Sequence, residues 1–286
     1  MSQPVWLITG ASTGLGLSLC LRVLRAGHTV IGSVRNKTKS AASVQKIEQA
    51  GGSVIEMDMT ESKASITAKI QALGRIDYLV NNAGYSILAP CEYISDTDAT
   101  LQMNTNYFGP LYAMQAVLPG MRAQKSGTIV NVSSVAAQDP KPACSLYCAS
   151  KAALEATSES LAIEVAPHGI NILIVEPGGF RTDFVNGLAA ASPDPSTVPA
   201  HYENPVGATM KAFLAYHGKQ VGDPDKAVER IFEAASGEGL AGSLKGKVLR
   251  LVLGSDAMAR IRNNTSKYVS ELDLQNETSK STDVTE

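Results

Sequence analysis

The chain has 286 residues, 44% of them hydrophobic, and a formal net charge of -2 at pH 7. That is enough apolar chain for one large domain or two small ones, and so even a charge balance argues against a nucleic-acid or membrane-surface binder. No apolar run approaches the ~20 residues that cross a bilayer, the N-terminus has no secretory pattern, and four cysteines (Cys20, Cys91, Cys144, Cys148) form no disulfide or zinc spacing. The sequence therefore reads as a cytoplasmic protein with reduced thiols and no metal site.

Val5-Trp6-Leu7-Ile8 reads as a short buried strand, followed at once by Thr9-Gly10-Ala11-Ser12-Thr13-Gly14-Leu15-Gly16 and a helical pattern from Leu15 to Arg25. Strand, glycine-rich turn and helix set free backbone N–H groups at a helix N-terminus, where a phosphate binds. The glycines let the backbone turn tightly and approach the ligand closely. Thr29 to Val34 is a second strand, Ser40 to Gln49 a helix, and Ser53 to Met57 a third strand ending in Asp58. Lys63 to Leu73 is helical, and Asp77 to Asn81 is a fourth strand running into Asn82-Ala83-Gly84. Asp96 to Arg122 is one long helical region, with Gly109-Pro110 expected to disturb it locally.

Gly127 to Val132 is the fifth strand, a β-branched apolar run that ends at Ser133-Ser134. Beyond it, Tyr147 and Lys151 stand four residues apart, on one face of a helix that continues to Val165. A phenol is a poor acid-base group at neutral pH, and an ammonium beside it favours the phenolate. The pair can then exchange a proton with an alcohol or ketone oxygen that the serine hydroxyl also holds. Alone, the same spacing also fits an ordinary amphipathic helix. Asn171 to Val175 is a sixth strand, followed by Pro177-Gly178. Val185 to Gly222 is a long connection with four prolines and an apolar pattern at Met210, Phe213, Leu214 and Tyr216. Lys247 to Leu251 is the expected last strand, an amphipathic helix follows, and residues 273–286 form a polar tail expected to be disordered. Strands alternating with helices define a parallel sheet covered on both faces, with ligands at the carboxyl ends of the strands. The glycine turn, Asp58, Asn81 to Gly84, Ser134 and Pro177-Gly178 all fall at those ends.

Together, Thr9-Gly10-x-x-x-Gly14-x-Gly16, Asn81-Asn82-Ala83-Gly84, Ser134 with Tyr147 thirteen residues on, Lys151 and Pro177-Gly178 resemble the short-chain dehydrogenase/reductases. Glu176 to Phe184 looks like the subgroup near the steroid and retinol dehydrogenases. The resemblance implies an α/β doubly wound parallel sheet (Rossmann fold), with one catalytic domain over residues 1–272 and a substrate lid at about 185–222. It implies hydride transfer between a nicotinamide cofactor and a carbonyl or alcohol, with Tyr147 as general acid/base. Lys151 would lower the Tyr147 pKa and hold the nicotinamide ribose. Ser134 would bind the substrate oxygen, with Ser133 turned to the other face of its strand. Asn106 fits the helix-kink asparagine that holds a water in the proton relay, with Asn104 as the structural neighbour. Gly10, Ser12, Thr13, Gly14, Leu15, Gly16, Asn82, Ala83 and Gly84 would line the cofactor. Asp58 would meet its adenine, and Pro177, Gly178 and Thr182 its nicotinamide. Imine reduction, a cofactor-assisted rearrangement or cyclisation, and a non-catalytic dinucleotide-sensing role are the alternatives. A homodimer or homotetramer paired through long helices is the expected assembly.

The choice of dinucleotide comes from the end of the second strand. An NAD site places a carboxylate there, which binds the ribose hydroxyls and repels a 2′-phosphate. Here the position is Val34, followed by Arg35, Asn36, Lys37 and Lys39, with no Asp or Glu before Glu48. Arg35 can fork onto a phosphate, with Ser33, Ser12 and Thr13 adding neutral hydrogen bonds. NADP(H) and the reductive direction are the expectation.

Overall fold

The computed structural model describes residues 3–284. Seven strands form one parallel sheet in the order β3-β2-β1-β4-β5-β6-β7. They are β1 (Val5–Ile8), β2 (Thr29–Val34), β3 (Ser53–Glu56), β4 (Tyr78–Asn81), β5 (Gly127–Val132), β6 (Ile170–Pro177) and β7 (Arg250–Leu253). From β1 the chain builds outward to β3, then returns to β4 on the other side of β1. That reversal opens a crevice at the carboxyl ends of β1 and β4, the place where doubly wound sheets bind ligands.

Successive strand residues feed opposite faces. Trp6, Ile8, Val30, Val80 and Val130 pack with α1 (Gly14–Arg25), α2 (Ala41–Gln49) and the later helix α10 (Pro224–Ser236). Leu7, Leu79, Ile129 and Ile172 pack on the other face. Their partners lie on α3 (Lys63–Gln71), α5 (Gly109–Gln124) and α7 (Ser145–Val165). Each fully buried large side chain stabilises the fold by about 1.5–3 kcal/mol, which is why these short strands read as unbroken apolar runs.

Between α4 (Asp96–Met103) and α5 the chain makes a wide π-turn over Asn104–Phe108. The helix is thus disturbed just before Gly109-Pro110, the pair expected to cause it. Pro110 sits in the first turn of α5. The buried Asn106 amide holds the turn instead, through three hydrogen bonds.

After β5 come the short α6 (Val135–Gln138) and α7; after β6 the chain leaves the sheet through α8 (Phe184–Ala191), single helical turns and α9 (Ala208–Ala215). This excursion has its own apolar cluster, in which Leu188, Val206 and Met210 meet Leu88, Ala143, Cys144 and Cys148. Its two ends are tied together: Gly222 N donates to Gly179 O (2.9 Å) and Arg181 N to Gly222 O (3.1 Å). α10, α11 (Gly239–Gly242) and β7 complete the sheet's cover.

The last strand begins at Arg250 and not at Lys247. The final helix α12 (Ser255–Lys280) continues through 273–280, which corrects the expectation of a disordered tail there. Polar side chains spaced for i,i+3 and i,i+4 pairing, such as Lys267 with Glu271 and Lys280 with Glu277, support a helix without a buried face. Residues 285–286 lie outside the described residues.

Candidate active site

The turn after β1 and the loop after β4 form one unit. Thr9 Oγ1 accepts the N–H groups of Asn82 and Ala83 (both 3.0 Å), and Asn82 Nδ2 donates to the carbonyls of Thr9 (2.9 Å) and Gly10 (3.2 Å). Gly10 and Gly14 have left-handed backbones, at φ 67° and 54°. A side chain at Gly16 would collide with the Gly10 carbonyl oxygen. Thr13 is the N-cap of α1, yet its hydroxyl caps nothing, so the first N–H groups of α1 point at the crevice without a side-chain partner. Ser43 Oγ donates to Ser12 O (2.5 Å) and pins the turn to α2. Asn82 therefore shapes the turn, because its amide nitrogen is committed to Thr9 and Gly10.

Across the crevice, the end of β5 meets α7. Ser134 caps α6, its Oγ accepting from Ala136 N (3.1 Å), and its hydroxyl is set against the Tyr147 phenol, whose ionisation it favours. Lys151 is buried, 4% exposed, and its Nζ donates to Val132 O (2.8 Å) at 5.9 Å from the Tyr147 ring centre. Ser133 points to the opposite face, as expected, and donates to Glu155. Gly84 approaches both Asn106 and Lys151: a Cβ there would lie 3.2 Å from Asn106 Oδ1 and 3.3 Å from Lys151 Nζ. Asn106 Nδ2 donates to Tyr85 O (2.9 Å) and Ser150 Oγ (3.0 Å), and Asn106 Oδ1 accepts from Tyr85 N (3.1 Å).

The electrostatics depart from the expectation. Burial pushes the Tyr147 phenol up to about 12, and the Ser134 hydrogen bond pulls it back only partly. Burial also brings the Lys151 ammonium down to about 8, against the pull of Glu155. The ammonium donates to the Val132 carbonyl, and burial is the largest influence on the phenol.

Pro177-Gly178 leads to Thr182, which faces Gly14; a Cβ on Gly14 would sit 3.3 Å from the Thr182 Cβ. Asp58 lies at the end of β3 with Oδ1 held by Thr60 N and Oγ1 (both 2.9 Å). Arg35 is exposed just beyond β2. One expectation fails here. The sequence was read as placing no carboxylate near this strand end, but Val34 is paired with Glu56 on β3, and Glu56 Oε1 accepts from Lys37 N (3.0 Å). Parallel pairing brings in a residue 22 positions away, which a reading along the chain misses. Ser33 is 1% exposed, its Oγ shut inside the sheet.

Three further contacts were missed. Asp256, in the first turn of α12, accepts from Gly179 N (2.9 Å) and packs so closely on Gly178 that no side chain fits there. Phe184 of α8 tilts over Tyr147, ring centres 5.9 Å apart. Asn81 and Asn131 pair side by side inside the sheet (2.8 Å). Only Asp256 had a usable signal, the apolar strand, glycine and helix start of Arg250 to Ala257. A cavity of about 250 Å³ lies between Leu88 and the excursion after β6, lined mainly by Leu88, Leu188, Pro193, Met210 and Leu214, with Ser192 and Asp194 as polar members. Among the described residues no cluster of His, Cys, Asp or Glu could hold a metal ion, and no helix is long and apolar enough to cross a membrane.

A glycine turn at the switch point of a parallel sheet, facing a Ser/Tyr/Lys set, is the build of a nicotinamide-dinucleotide oxidoreductase. Comparison with known proteins agrees: the short chain dehydrogenase family model matches residues 4–192. Oxidoreductase claN of Passalora fulva is 42% identical over 211 residues, covering 73% of this chain and 93% of the relative. Human retinol dehydrogenase 8 is 32% identical over 247 residues, covering 80% and 77%. A solved short-chain dehydrogenase from Streptomyces avermitilis is 33% identical, with a TM-score of 0.83 over 98% of this chain and 100% of that one. A metagenomic short-chain oxidoreductase solved with NADP is 30% identical, with a TM-score of 0.59 over 63% and 83%. The chain belongs to the short-chain dehydrogenase/reductase family, near the retinol and steroid dehydrogenase-like group.

Proposed function

We propose that this protein reduces a carbonyl on a mainly apolar small molecule to an alcohol, with NADP(H) as cofactor and Tyr147 as the proton donor. The observation that carries the reading is the Ser134 hydroxyl set against the Tyr147 phenol, with Lys151 one helical turn away on α7. The chain's residues fit a dinucleotide. The turn at Gly10, Gly14 and Gly16 is free of side chains, and the uncapped N-terminus of α1 accepts phosphate. Asp58 keeps Oδ2 for the adenine, Lys151 would meet the nicotinamide ribose, and Thr182 its carboxamide. When bound, the cofactor supplies the hydride.

The chain's own part is proton and position. Ser134 and Tyr147 hold the substrate oxygen from two sides, so charge that builds on it meets two donors. With its phenol pushed to about 12, Tyr147 carries its proton at neutral pH and gives it to that oxygen. This is the form that reduction needs, whereas oxidation would start from the phenolate. The side-chain amide of Asn106 is fully engaged, so a water of the proton relay would use its main-chain groups.

The excursion over 185–222 serves as the substrate lid, and lids exclude water from the reacting atoms. Phe184 at Tyr147 and Leu188 at the cavity lie one turn apart on α8, about 6 Å along the helix. A carbonyl at Tyr147 can thus carry an apolar tail along α8 into the cavity. The retinol dehydrogenase relative, by its name, handles a substrate of that apolar kind. For the dinucleotide, Arg35 at the end of β2 and the relative solved with NADP support NADP(H), while Glu56 weakens the case by adding a nearby negative charge. The same reading pairs two copies through the long helices, where Leu101 and Phe108 leave apolar surface exposed.

A panel of apolar ketones and aldehydes, assayed with NADPH and with NADH, tests the reading. Turnover of several members with NADPH is expected. Tight NADPH binding without turnover of any member would favour the sensing alternative.

A further inference from the structure

We infer that Glu155 is a positioning residue of this site: it locks the strand end carrying Ser134 to the helix carrying Tyr147 and Lys151, and it is the counter-charge of the Lys151 ammonium. This rests on the roles proposed above for Tyr147 and Lys151.

Tyr147, Lys151 and Glu155 follow one another at four-residue spacing along one face of α7. Each grips a different residue at the end of β5. Tyr147 meets Ser134, Lys151 donates to the carbonyl of Val132 (2.8 Å), and Glu155 accepts from the hydroxyl of Ser133. Three consecutive residues of the strand are thereby fastened to three turns of one helix. Of the two serines, Ser133 is the one whose side chain points away from Tyr147, so its bond to Glu155 serves alignment.

Glu155 is 3% exposed, and charged groups reach it from several elements. Gln138 of α6 donates to its Oε2 (2.5 Å), and Arg250 Nε of β7 lies 3.7 Å away. Arg250 also pairs with Glu159 on α7 and with Glu176 on β6 (3.0 Å). Asp139, after α6, is neutralised by Lys141 and Arg260. Glu176 is fully buried, and its Oε2 meets no protein partner. Burial and the charge of Glu155 push its carboxyl up to about 7. Burial therefore keeps a proton on Glu176 up to about neutral pH, and Glu155 lies one helical turn from Lys151 on the same face of α7. Burial alone would draw the ammonium lower than about 8; Glu155 is what raises it.

The test compares wild type with Glu155→Gln, Ser133→Ala and Glu176→Gln. The readouts are the Lys151 ionisation in ligand-free protein, followed by its side-chain ¹³Cε resonance, and the pH dependence of kcat with NADPH. Glutamine can still accept from Ser133 but carries no charge. In Glu155→Gln the Lys151 titration and the high-pH limb of kcat should both move down by about one pH unit. Ser133→Ala should leave the titration in place and lower kcat severalfold. Glu176→Gln should leave Lys151 unshifted. An unchanged titration in Glu155→Gln overturns the inference whatever the turnover, and so does an equal shift in Glu176→Gln or Ser133→Ala. Absence of ketone turnover in the wild type would instead sink the carbonyl-reductase reading, and the ligand-free titration would then decide the counter-charge on its own.

Discussion

Replacing Gly16 by alanine probes the most tightly built part of the site. The new methyl would collide with the Gly10 carbonyl oxygen and lie 2.5 Å from Asn82 Nδ2, about 0.9 Å inside the 3.4 Å at which ordinary contact begins. Neither neighbour yields easily. The Asn82 amide is clamped to the carbonyls of Thr9 and Gly10, and Gly10 sits in a left-handed turn. Overpacking of this kind costs about 1–3 kcal/mol, and loosening the two Asn82 bonds adds about 1 kcal/mol each. A total of about 3–5 kcal/mol lowers the melting temperature of a chain this long by roughly 5–8 °C. The opened turn should also weaken NADPH binding at least about tenfold, the worth of ~1.4 kcal/mol. Thermal unfolding and calorimetric titration with NADPH read both effects. Gly187→Ala is the control: it lies exposed on α8 with nothing within 4 Å, and should stabilise by about 0.5–1 kcal/mol. A Gly16→Ala protein that melts within ~2 °C of wild type and binds NADPH normally would refute the packing argument.

Other expectations follow from the same geometry. Glu176 holds a proton up to about pH 7 in the folded protein, whereas an unfolded glutamate loses it in the ordinary carboxylate range. Its contribution is therefore complete at low pH and lost as pH rises through about 7. Glu176→Gln should flatten the fall in melting temperature between about pH 4.5 and 7.5, and an unchanged slope would contradict the burial of that proton. On the substrate side, Phe184→Ala and Leu214→Ala should raise KM for apolar ketones severalfold while NADPH affinity stays put; equal losses for both ligands would argue against a lid. At the end of β2, Arg35→Ala should weaken NADPH and leave NADH nearly untouched, and Val34→Asp should swing preference toward NADH. Tighter wild-type binding of NADH than of NADPH at matched salt would overturn the cofactor assignment.

The alternation of strands and helices was legible because both faces of this sheet are buried, so each strand appears as a short apolar run between glycine-rich turns. Residues whose partners are near in sequence, such as Tyr147 and Lys151, could be placed by helical spacing alone. What escaped depends on distant parts of the chain coming together. Glu56 reaches the end of β2 only through parallel pairing, and Asp256 reaches Pro177-Gly178 only because β7 lies beside β6. The burial of the phenol was not legible either, because spacing reports that a lysine is near but not how dry the site is. Asn106 shows the opposite case: its position was anticipated, while the side-chain bonds that tie up its amide were not.

The central claim is that Tyr147 donates the proton that completes carbonyl reduction. Tyr147→Phe removes that proton and keeps the ring's contact with Phe184. The most direct measurement is the single-turnover rate of ketone reduction by NADPH in wild type and in Tyr147→Phe, with NADPH affinity determined on the same samples. The account predicts a rate at least ~10²-fold lower with nearly unchanged affinity. A variant rate within a few-fold of wild type would contradict it.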